Sequence, residues 1–511
     1  MMRRSYIGLG LFSLVLAGLA VFLVWPRFDG LYGQDPFGYY LYARDELGGA
    51  LAAGKRFPPF FWPPGYPLLL WVGSLLSGWT PRIGQVINLG AGLAVGWGTV
   101  WLAGEVTREE ERPFVWLAGM FVLCTGQLWQ SAVVVMADLV GLAGATLGVA
   151  AVVHWWQLTA GETGERRYYH GWLWLGAGLL AYGILSRWGQ GLAAVAVAVP
   201  VWGRLIWLGW RGRGREMLGV AVVAALVVIT VLSPMWWGWL VGDVVSVGRQ
   251  AEGPIFAGNF GVYRWQLNHA WQSSFVTTDG LLQYRWPNGI YYLLAPAHRY
   301  YFTVWFVLLL PVGLWRCGRR GRGLHWVVVV WAGLVYLFHI GAAWQNFRFT
   351  LAYLPPLAIL AMWGVIELKK WVPIRFLVGY LLVGWTMMMM GGWELTQFFV
   401  ERKAAELATV TWVEEQMTGD DLLLTFNVTP TFRFYGQREY ADLYYLTVAD
   451  MEQLVADHDT VWVLIKEEEI TVQWADLSPG QNWAWLEAYG VDLVGRDQSY
   501  QLWIVTGQSD S

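Results

Sequence analysis

The stretch "YIGLGLFSLVLAGLAVFLVW", residues 6–25, is followed after five residues by "LYGQDPFGYYLYARDELGG", residues 31–49. The first stretch is apolar throughout and has the length, about 20 residues, that a helix needs to cross the hydrocarbon core of a bilayer. It is longer than the roughly 7 to 15 apolar residues of a signal peptide, and no small-residue cleavage site follows it. We therefore predict a retained first transmembrane helix, which leads into a loop that holds acids, a proline and tyrosines.

The composition extends this prediction to the rest of the chain. Of the 511 residues 56% are hydrophobic, 37 are tryptophan and only 14% are charged, against about 25% charged in soluble domains. The mean hydropathy is +0.40, and the two cysteines form no disulfide framework. We predict a mainly α, polytopic membrane protein with about eleven transmembrane helices, near residues 5–25, 83–104, 113–130, 139–157, 172–185, 190–208, 217–240, 301–315, 324–343, 350–367 and 374–393.

The segment "GYPLLLWVGSLLSGW", residues 65–79, is apolar but short, and prolines stand at 63, 64 and 81. We expect a re-entrant or interfacial helix there, because the segment is shorter than a span.

Basic residues in short loops predict the orientation, since Lys and Arg are enriched on the cytoplasmic side. Arg3 and Arg4 precede the first span, and "GERRYYHG", "WRGRGREM", "RCGRRGRGLH" and "ELKKWVPIR" all fall on the same side as they do. We predict a multi-pass protein of the cytoplasmic membrane with its N-terminus inside. Eleven spans then place the C-terminus outside, together with the first outer loop 27–63 and the outer loop 241–300.

Residues 394–511 have a different composition, with 21 acidic and 6 basic side chains. Helical runs such as "VADMEQLVADH" alternate with strand-like runs such as "TVWVLIK", a pattern typical of small α/β domains. We predict a transmembrane domain over 1–393 and a small extracytoplasmic α/β domain over 394–511.

Three ionisable residues stand alone in apolar sequence: Asp138, Arg187 and Arg348. Such residues at membrane depth are costly and therefore indicate function, although Asp138 is equally suited to cap a helix and the arginines to snorkel at helix ends. The predicted topology puts all three on the outer edge, with Asp35. A carboxylate that takes a proton from a hydroxyl, and guanidinium groups that hold a phosphate, are what transfer from a lipid-linked phosphate needs. Asp29 is a rival to Asp35 in the same loop.

Other candidates are less specific. Tyr39 belongs to a row of tyrosines that suits an interfacial aromatic belt or, alternatively, a sugar platform. Arg264 and His269 lie in "GVYRWQLNHAWQ", part of the loop 241–300, which is either a cover over a donor pocket or a surface loop. The histidines lack metal-ligand spacing, and we find no GxxxxGK[ST], GxGxxG or GxSxG pattern in a suitable context. We expect no metal site and no nucleic-acid partner.

The order of several segments resembles a known family. These segments are "GQDPFGYYLYARDEL", "FPPFFWPPGYPLLLWVGSLLSG", "VVVMADLVGLAGATLGVAAVVHWW", "LSRWGQGLA" and "NFRFTLAYLPPLAIL". With an outer C-terminal α/β domain, they are similar to the GT-C glycosyltransferases, and within them to the family 39-like branch of protein O-mannosyltransferases and lipid A aminoarabinose transferases. The resemblance implies transfer of one hexosyl or pentosyl unit from a polyprenyl-phosphate donor to a lipid, glycan or protein acceptor of the cell envelope.

The same resemblance implies roles for residues. Asp35 becomes the general base of an inverting transfer, Asp138 the acid that positions the acceptor or a nearby cation, and Arg187 and Arg348 the contacts to the donor phosphate. The family often has a second acid directly after the first, whereas Pro36 stands there in this sequence. We therefore expect no required cofactor, with a divalent cation as the alternative.

Two other functions use the same features. A transporter or flippase of lipid-linked sugars would need the same arginines, but it also requires polar groups deep in the spans and broken helices related by a repeat. A non-catalytic assembly subunit would use the acidic outer domain to recruit partners, which assigns no role to Asp138 or the arginines.

Overall fold

A computed structural model describes residues 2–55, 57–58, 60–160, 170–240, 265–321, 323–417 and 421–507. The chain divides into two compact units. The first unit contains residues 1–30, 39–271 and 288–397, and the second contains residues 31–38, 272–287 and 398–511.

Helices make up the first unit. Within the described residues, six segments are long and apolar enough to cross a membrane: Ser5–Val24, Arg82–Val106, Asp138–Ala160, Trp188–Met235, Phe347–Leu368 and Ile374–Gln416. The predicted mainly α, polytopic fold is therefore confirmed, and the chain is an integral membrane protein. Each of the eleven predicted apolar runs contains helix, although the run 113–130 is divided between Trp116–Leu123 and Gly126–Val133.

The individual helices have the following bounds. The α-helices of the first unit are, in chain order, Met2–Leu19, Gly48–Ala52, Gly65–Ser77, Arg82–Val106, Trp116–Leu123, Gly126–Val133, Asp138–Ala160, His170–Ser186, Gly191–Leu208, Gly214–Leu240, Asn288–Leu294, Thr303–Val307, Leu309–Arg320, His325–Ile340 and Leu354–Leu368. Short π-helical segments cover Ala20–Val24, Tyr42–Leu47 and Gly209–Arg213, and short 3-10 helices cover Glu109–Phe114, Trp188–Gln190, Leu267–Trp271, Ala295–Ala297 and Phe347–Tyr353. Two helices, Asp35–Leu41 and Ile374–Gln416, include residues of both units.

Burial separates central helices from peripheral ones. The most apolar windows of Asp138–Ala160 and Phe347–Leu368 are each 83% buried, whereas that of Trp188–Met235 is only 11% buried although it is apolar. Exposed apolar surface on that scale is unfavourable in water and suits contact with lipid. The helix Gly65–Ser77 has 13 residues, which is too short to cross the hydrocarbon core alone.

The second unit contains an α/β fold. Its sheet has five strands: β3, Leu422–Thr425; β4, Glu439–Asp442; β5, Val461–Ile465; β6, Val491–Asp497; and β7, Tyr500–Val505. Their order across the sheet is β4-β3-β5-β7-β6. Strands β4, β3 and β5 are parallel, and β7 and β6 pair antiparallel. The helices Thr429–Tyr435, Val448–Asp457, Glu467–Val472 and Ser478–Tyr489 connect the strands. Every residue of β3 and β5 is buried, as expected for parallel strands in the middle of a sheet. The predicted small C-terminal α/β domain is therefore confirmed.

Two segments from earlier in the chain join this unit. Residues 272–287 contain the antiparallel hairpin of β1, Ser274–Thr277, and β2, Gly280–Gln283. The backbone N–H of Leu281 donates to the carbonyl of Gln473 at 2.8 Å, and the Gln473 amide donates to the carbonyl of Asp279 at 2.7 Å. The other segment is Leu31–Gly38.

Candidate functional site

Asp138 is the first residue of the helix Asp138–Ala160, and its carboxylate contacts two guanidinium groups. Its Oδ1 lies 3.1 Å from Nε of Arg187, and its Oδ2 lies 3.3 Å from Nε of Arg348. The side chain of Asp138 is 8% exposed, that of Arg187 9% and that of Arg348 14%. Burial of two cations beside one carboxylate makes their electrostatic interaction much stronger than it would be in water.

Each arginine is placed by the end of a helix. Arg187 has an extended backbone between the helix His170–Ser186 and the 3-10 turn Trp188–Gln190. Arg348 lies in the first turn of Phe347–Tyr353, where Oδ1 of Asn346 accepts a hydrogen bond from the Arg348 backbone N–H at 2.9 Å. That cap satisfies one of the N–H groups that a helix start leaves without an internal partner.

Aromatic rings surround the two guanidinium groups. The Arg187 guanidinium carbon lies 4.9 Å from the ring centroid of Trp62 and 5.8 Å from that of Phe349, and the Arg348 carbon lies 5.6 Å from Phe349. Nη1 of Arg187 donates to the hydroxyl of Tyr39, a fully buried residue, at 3.4 Å. Such rings stabilise cations from their faces and keep water away from them.

A small cleft opens at this cluster. Its lining includes Asp138, Arg187, Trp188, Gly189, Gln190, Phe338, His339, Arg348, Phe349, Leu351 and Ala352. The cleft thus joins an apolar wall to one carboxylate and two guanidinium groups, with one positive charge in excess. This arrangement suits a ligand that has an anionic group attached to an apolar body.

Several residues around this cleft are not among those predicted from the sequence. His339 stacks on Phe349 with centroids 5.7 Å apart and on Tyr292 at 5.2 Å. One signal was present, because His339 is the only Asp, Glu, Lys, Arg or His between His325 and Arg348 in an apolar run, and intramembrane ionisable residues indicate function. Trp62 and Gln190 had no comparable signal.

The remaining predicted residues are placed as follows. Asp35 is the first residue of the helix Asp35–Leu41 and belongs to the second unit. His269 is buried, and its Nδ1 donates to the carbonyl of Gly341 at 2.8 Å. Arg264 lies outside the described residues. The structure therefore brings Asp138, Arg187, Arg348 and Tyr39 together in the first unit.

Similar folds occur among solved structures. ArnT from Cupriavidus metallidurans bound to undecaprenyl phosphate superimposes with a TM-score of 0.63 at 13% identity, over 97% of this chain and 98% of that chain. Its apo state gives a TM-score of 0.62 at 14% identity over the same shares. The oligosaccharyltransferase AglB from Archaeoglobus fulgidus, in complex with an inhibitory peptide and a dolichol-phosphate, gives 0.60 at 12% identity over 96% of this chain and 72% of that chain.

The sequence matches no protein-family model and no curated protein. At 12 to 14% sequence identity, these structures resemble this chain in the path of the backbone over nearly its whole length. Such a similarity is evidence about the fold. The resemblance seen in the segment order is confirmed at the level of the fold, which this chain shares with ArnT and AglB.

Proposed function

We propose that the protein is a membrane-embedded glycosyltransferase that moves one hexosyl or pentosyl unit from a polyprenyl-phosphate donor to a lipid, glycan or protein acceptor. The observation that carries the proposal is the pair of buried arginines on Asp138 in an apolar cleft. Two neighbours in fold support it, since ArnT was solved with undecaprenyl phosphate and AglB with a dolichol-phosphate.

The proposed chemistry assigns one role to each group. The Asp35 carboxylate removes the proton from the acceptor hydroxyl as its oxygen attacks the anomeric carbon of the sugar. The bond from that carbon to the phosphate oxygen breaks, and attack from the opposite face inverts the configuration. Arg187 and Arg348 stabilise the charge that develops on the departing polyprenyl phosphate. Asp138 fixes both guanidinium groups and positions the acceptor.

The site works on the outer face of the cytoplasmic membrane in this proposal. The distribution of Lys and Arg among the loops supports the orientation. We also propose that no resident metal is needed, because Pro36 stands where a second acid would complete a two-carboxylate site in the first loop.

The test uses the full-length protein in lipid nanodiscs, undecaprenyl-phosphate loaded with labelled hexoses or pentoses, and membranes from cells that lack this chain as the acceptor source. We expect label in a lipid, glycan or protein fraction, and a loss of roughly 100-fold or more in Asp35→Asn because general base catalysis is removed. Asp29→Asn is the matched control from the same loop and should keep wild-type transfer.

Three outcomes would contradict the proposal in different ways. Wild-type transfer by Asp35→Asn would remove the base assignment. Full donor affinity in an Arg187→Ala, Arg348→Ala double variant would remove the phosphate site. Movement of labelled donor across the bilayer of a liposome without transfer would identify a flippase instead.

A further inference from the structure

The segment Leu31–Gly38, which carries Asp35, is built into the C-terminal α/β unit by buried contacts. Leu31, Pro36 and Phe37 are buried, and Phe37 is fully so. The Phe37 ring centroid lies 5.9 Å from that of Phe434 and 6.1 Å from that of Tyr435. Burial of a phenylalanine side chain removes apolar surface from water and is favourable, so the segment is held on this unit.

A buried cation contributes to the same contact. Nζ of Lys403, a residue that is only 2% exposed, lies 3.8 Å from the ring centroid of Tyr435 and 5.0 Å from that of Phe37. The attraction of an ammonium group to aromatic faces strengthens when water is excluded. Phe37 therefore lies beside both the two aromatic rings and the lysine.

A polar contact holds the other side of Asp35. Nε2 of Gln34 donates to Oδ1 of Asn427 at 2.9 Å, and the Asn427 amide donates to the carboxylate of Glu469. Asn427 has a φ of 67°, a left-handed conformation that asparagine tolerates better than most residues. Asp35 is thus flanked by an anchor directly before it and another two residues after it.

Asn427 and its partner Glu469 lie beyond the carboxyl ends of two neighbouring strands of the sheet. Asn427 follows the carboxyl end of β3, and Glu469 lies in the helix after β5. The chain leaves β3 for β4 on one side and returns to β5 on the other side, so the gap between β3 and β5 is a topological switch point. Open α/β sheets bind their ligands in the crevice at the carboxyl ends of the strands at such a point.

We propose that the ligand of this crevice is the chain's own segment Leu31–Gly38, and that the C-terminal domain is a positioning element for Asp35. The inference rests on the proposed function only in taking Asp35 as the base. Phe37 and Asn427 are positioning residues, since neither accepts the proton. A displacement of about 1 Å at a reacting group costs on the order of 100-fold in rate, which gives the docking a direct effect on turnover.

The experiment compares full-length variants. Asn427→Gly removes the amide but keeps a residue that adopts a positive φ without strain. Phe37→Ala removes the aromatic anchor, and Phe37→Leu restores most of its volume. The matched control is Asn482→Ala, because the buried Asn482 amide donates to the carbonyls of Leu443 and Leu446 at 2.9 and 2.8 Å within the same domain and takes no part in the anchoring of Asp35.

Hydrogen–deuterium exchange of the peptide that covers residues 31–38, together with kcat and the donor KM, gives the readout. We expect Asn427→Gly and Phe37→Ala to accelerate exchange in that peptide and to lower kcat about 10- to 100-fold. The donor KM should stay within about threefold of wild type, because Arg187 and Arg348 bind the phosphate. Phe37→Leu should recover most of the rate, and Asn482→Ala should lower Tm with kcat within about twofold of wild type.

The outcomes separate the two proposals. Unchanged exchange in both anchor variants, faster exchange with wild-type kcat, or an equal loss of kcat in Asn482→Ala would each overturn the positioning role. Transfer that persists in Asp35→Asn would instead overturn the base assignment and with it the positioning role, while the exchange data would still report whether the crevice holds the segment.

Discussion

At the scale of single residues, the decisive feature is one carboxylate shared by two buried arginines. A buried ion pair is a weak source of net stability because desolvation offsets much of the attraction, but removal of one partner leaves an uncompensated charge. Asp138 therefore stabilises the fold as well as the arrangement of the site. Arg187 and Arg348 each have their Nε within 3.3 Å of it.

This balance leads to a prediction for Asp138→Asn. We expect its free energy of unfolding to fall by about 3–5 kcal/mol, since both guanidinium groups lose their counter-charge. An Asp138→Asn, Arg187→Gln double variant should recover part of that loss, because one of the two uncompensated cations is gone. Denaturant or thermal unfolding in detergent measures both.

Glu394→Gln is the matched control, because it breaks an exposed ion pair. Glu394 and Arg299 are 2.9 Å apart with side chains 54% and 57% exposed, so the loss should be negligible beside that of Asp138→Asn. Equal losses in Asp138→Asn and Glu394→Gln would show that the buried triad is not held as described.

At the scale of elements, the site depends on the close approach of the helices Asp138–Ala160 and His170–Ser186. A Cβ atom added at Gly144 would lie 2.8 Å from the carbonyl oxygen of Leu179, and one added at Gly183 would lie 2.9 Å from that of Gly141. These backbone carbonyl groups cannot move aside as the end of a flexible side chain can. Small residues at such contacts let helices in membranes pack closely, and this contact brings Arg187 to Asp138.

We therefore predict that Gly144→Ala separates the two helices. The expected loss of stability is about 1–3 kcal/mol from overpacking, together with weaker binding of polyprenyl phosphate as Arg187 moves from Asp138. Gly171→Ala is the control on the helix His170–Ser186, where an added Cβ meets nothing within 4 Å and alanine is the better helix former. Tm and binding of labelled polyprenyl phosphate provide the measurements, and a neutral Gly144→Ala would contradict the packing.

At the scale of the whole molecule, the uneven distribution of charge should set the orientation in the membrane. Basic residues concentrate in "WRGRGREM" and "RCGRRGRGLH", whereas residues 394–511 are strongly acidic. Loops rich in Lys and Arg remain on the cytoplasmic side, and acidic residues have little influence.

We predict that the C-terminal α/β domain lies outside the cytoplasm. Alkaline phosphatase, which is active only outside the cytoplasm, should be active when fused after residue 507 and inactive when fused after residue 212. Green fluorescent protein at the same two positions should give the opposite pattern. Activity reversed at both positions would invert the proposed topology and place the Asp138 cleft on the inner edge.

Much of this molecule could be predicted from local sequence. A helix in lipid needs about 20 apolar residues whatever its neighbours are, so the runs around 83–104 and 139–157 specify Arg82–Val106 and Asp138–Ala160 directly. Short continuous apolar runs bounded by polar residues indicate the strands Leu422–Thr425 and Val461–Ile465 in the same way. The cost of burying a charge likewise identified Asp138, Arg187 and Arg348 one by one.

Local sequence therefore predicts the elements and the candidate residues within them, because each depends on a short-range pattern of apolar and polar residues against lipid or water. The folded structure was needed to show that Asp138 contacts both arginines, which lie 49 and 210 residues further along the chain. The folded structure also showed that Leu31–Gly38 joins the C-terminal unit. Such contacts depend on how each helix is rotated and how closely its neighbours approach, and that geometry arises from the packing of all the elements together.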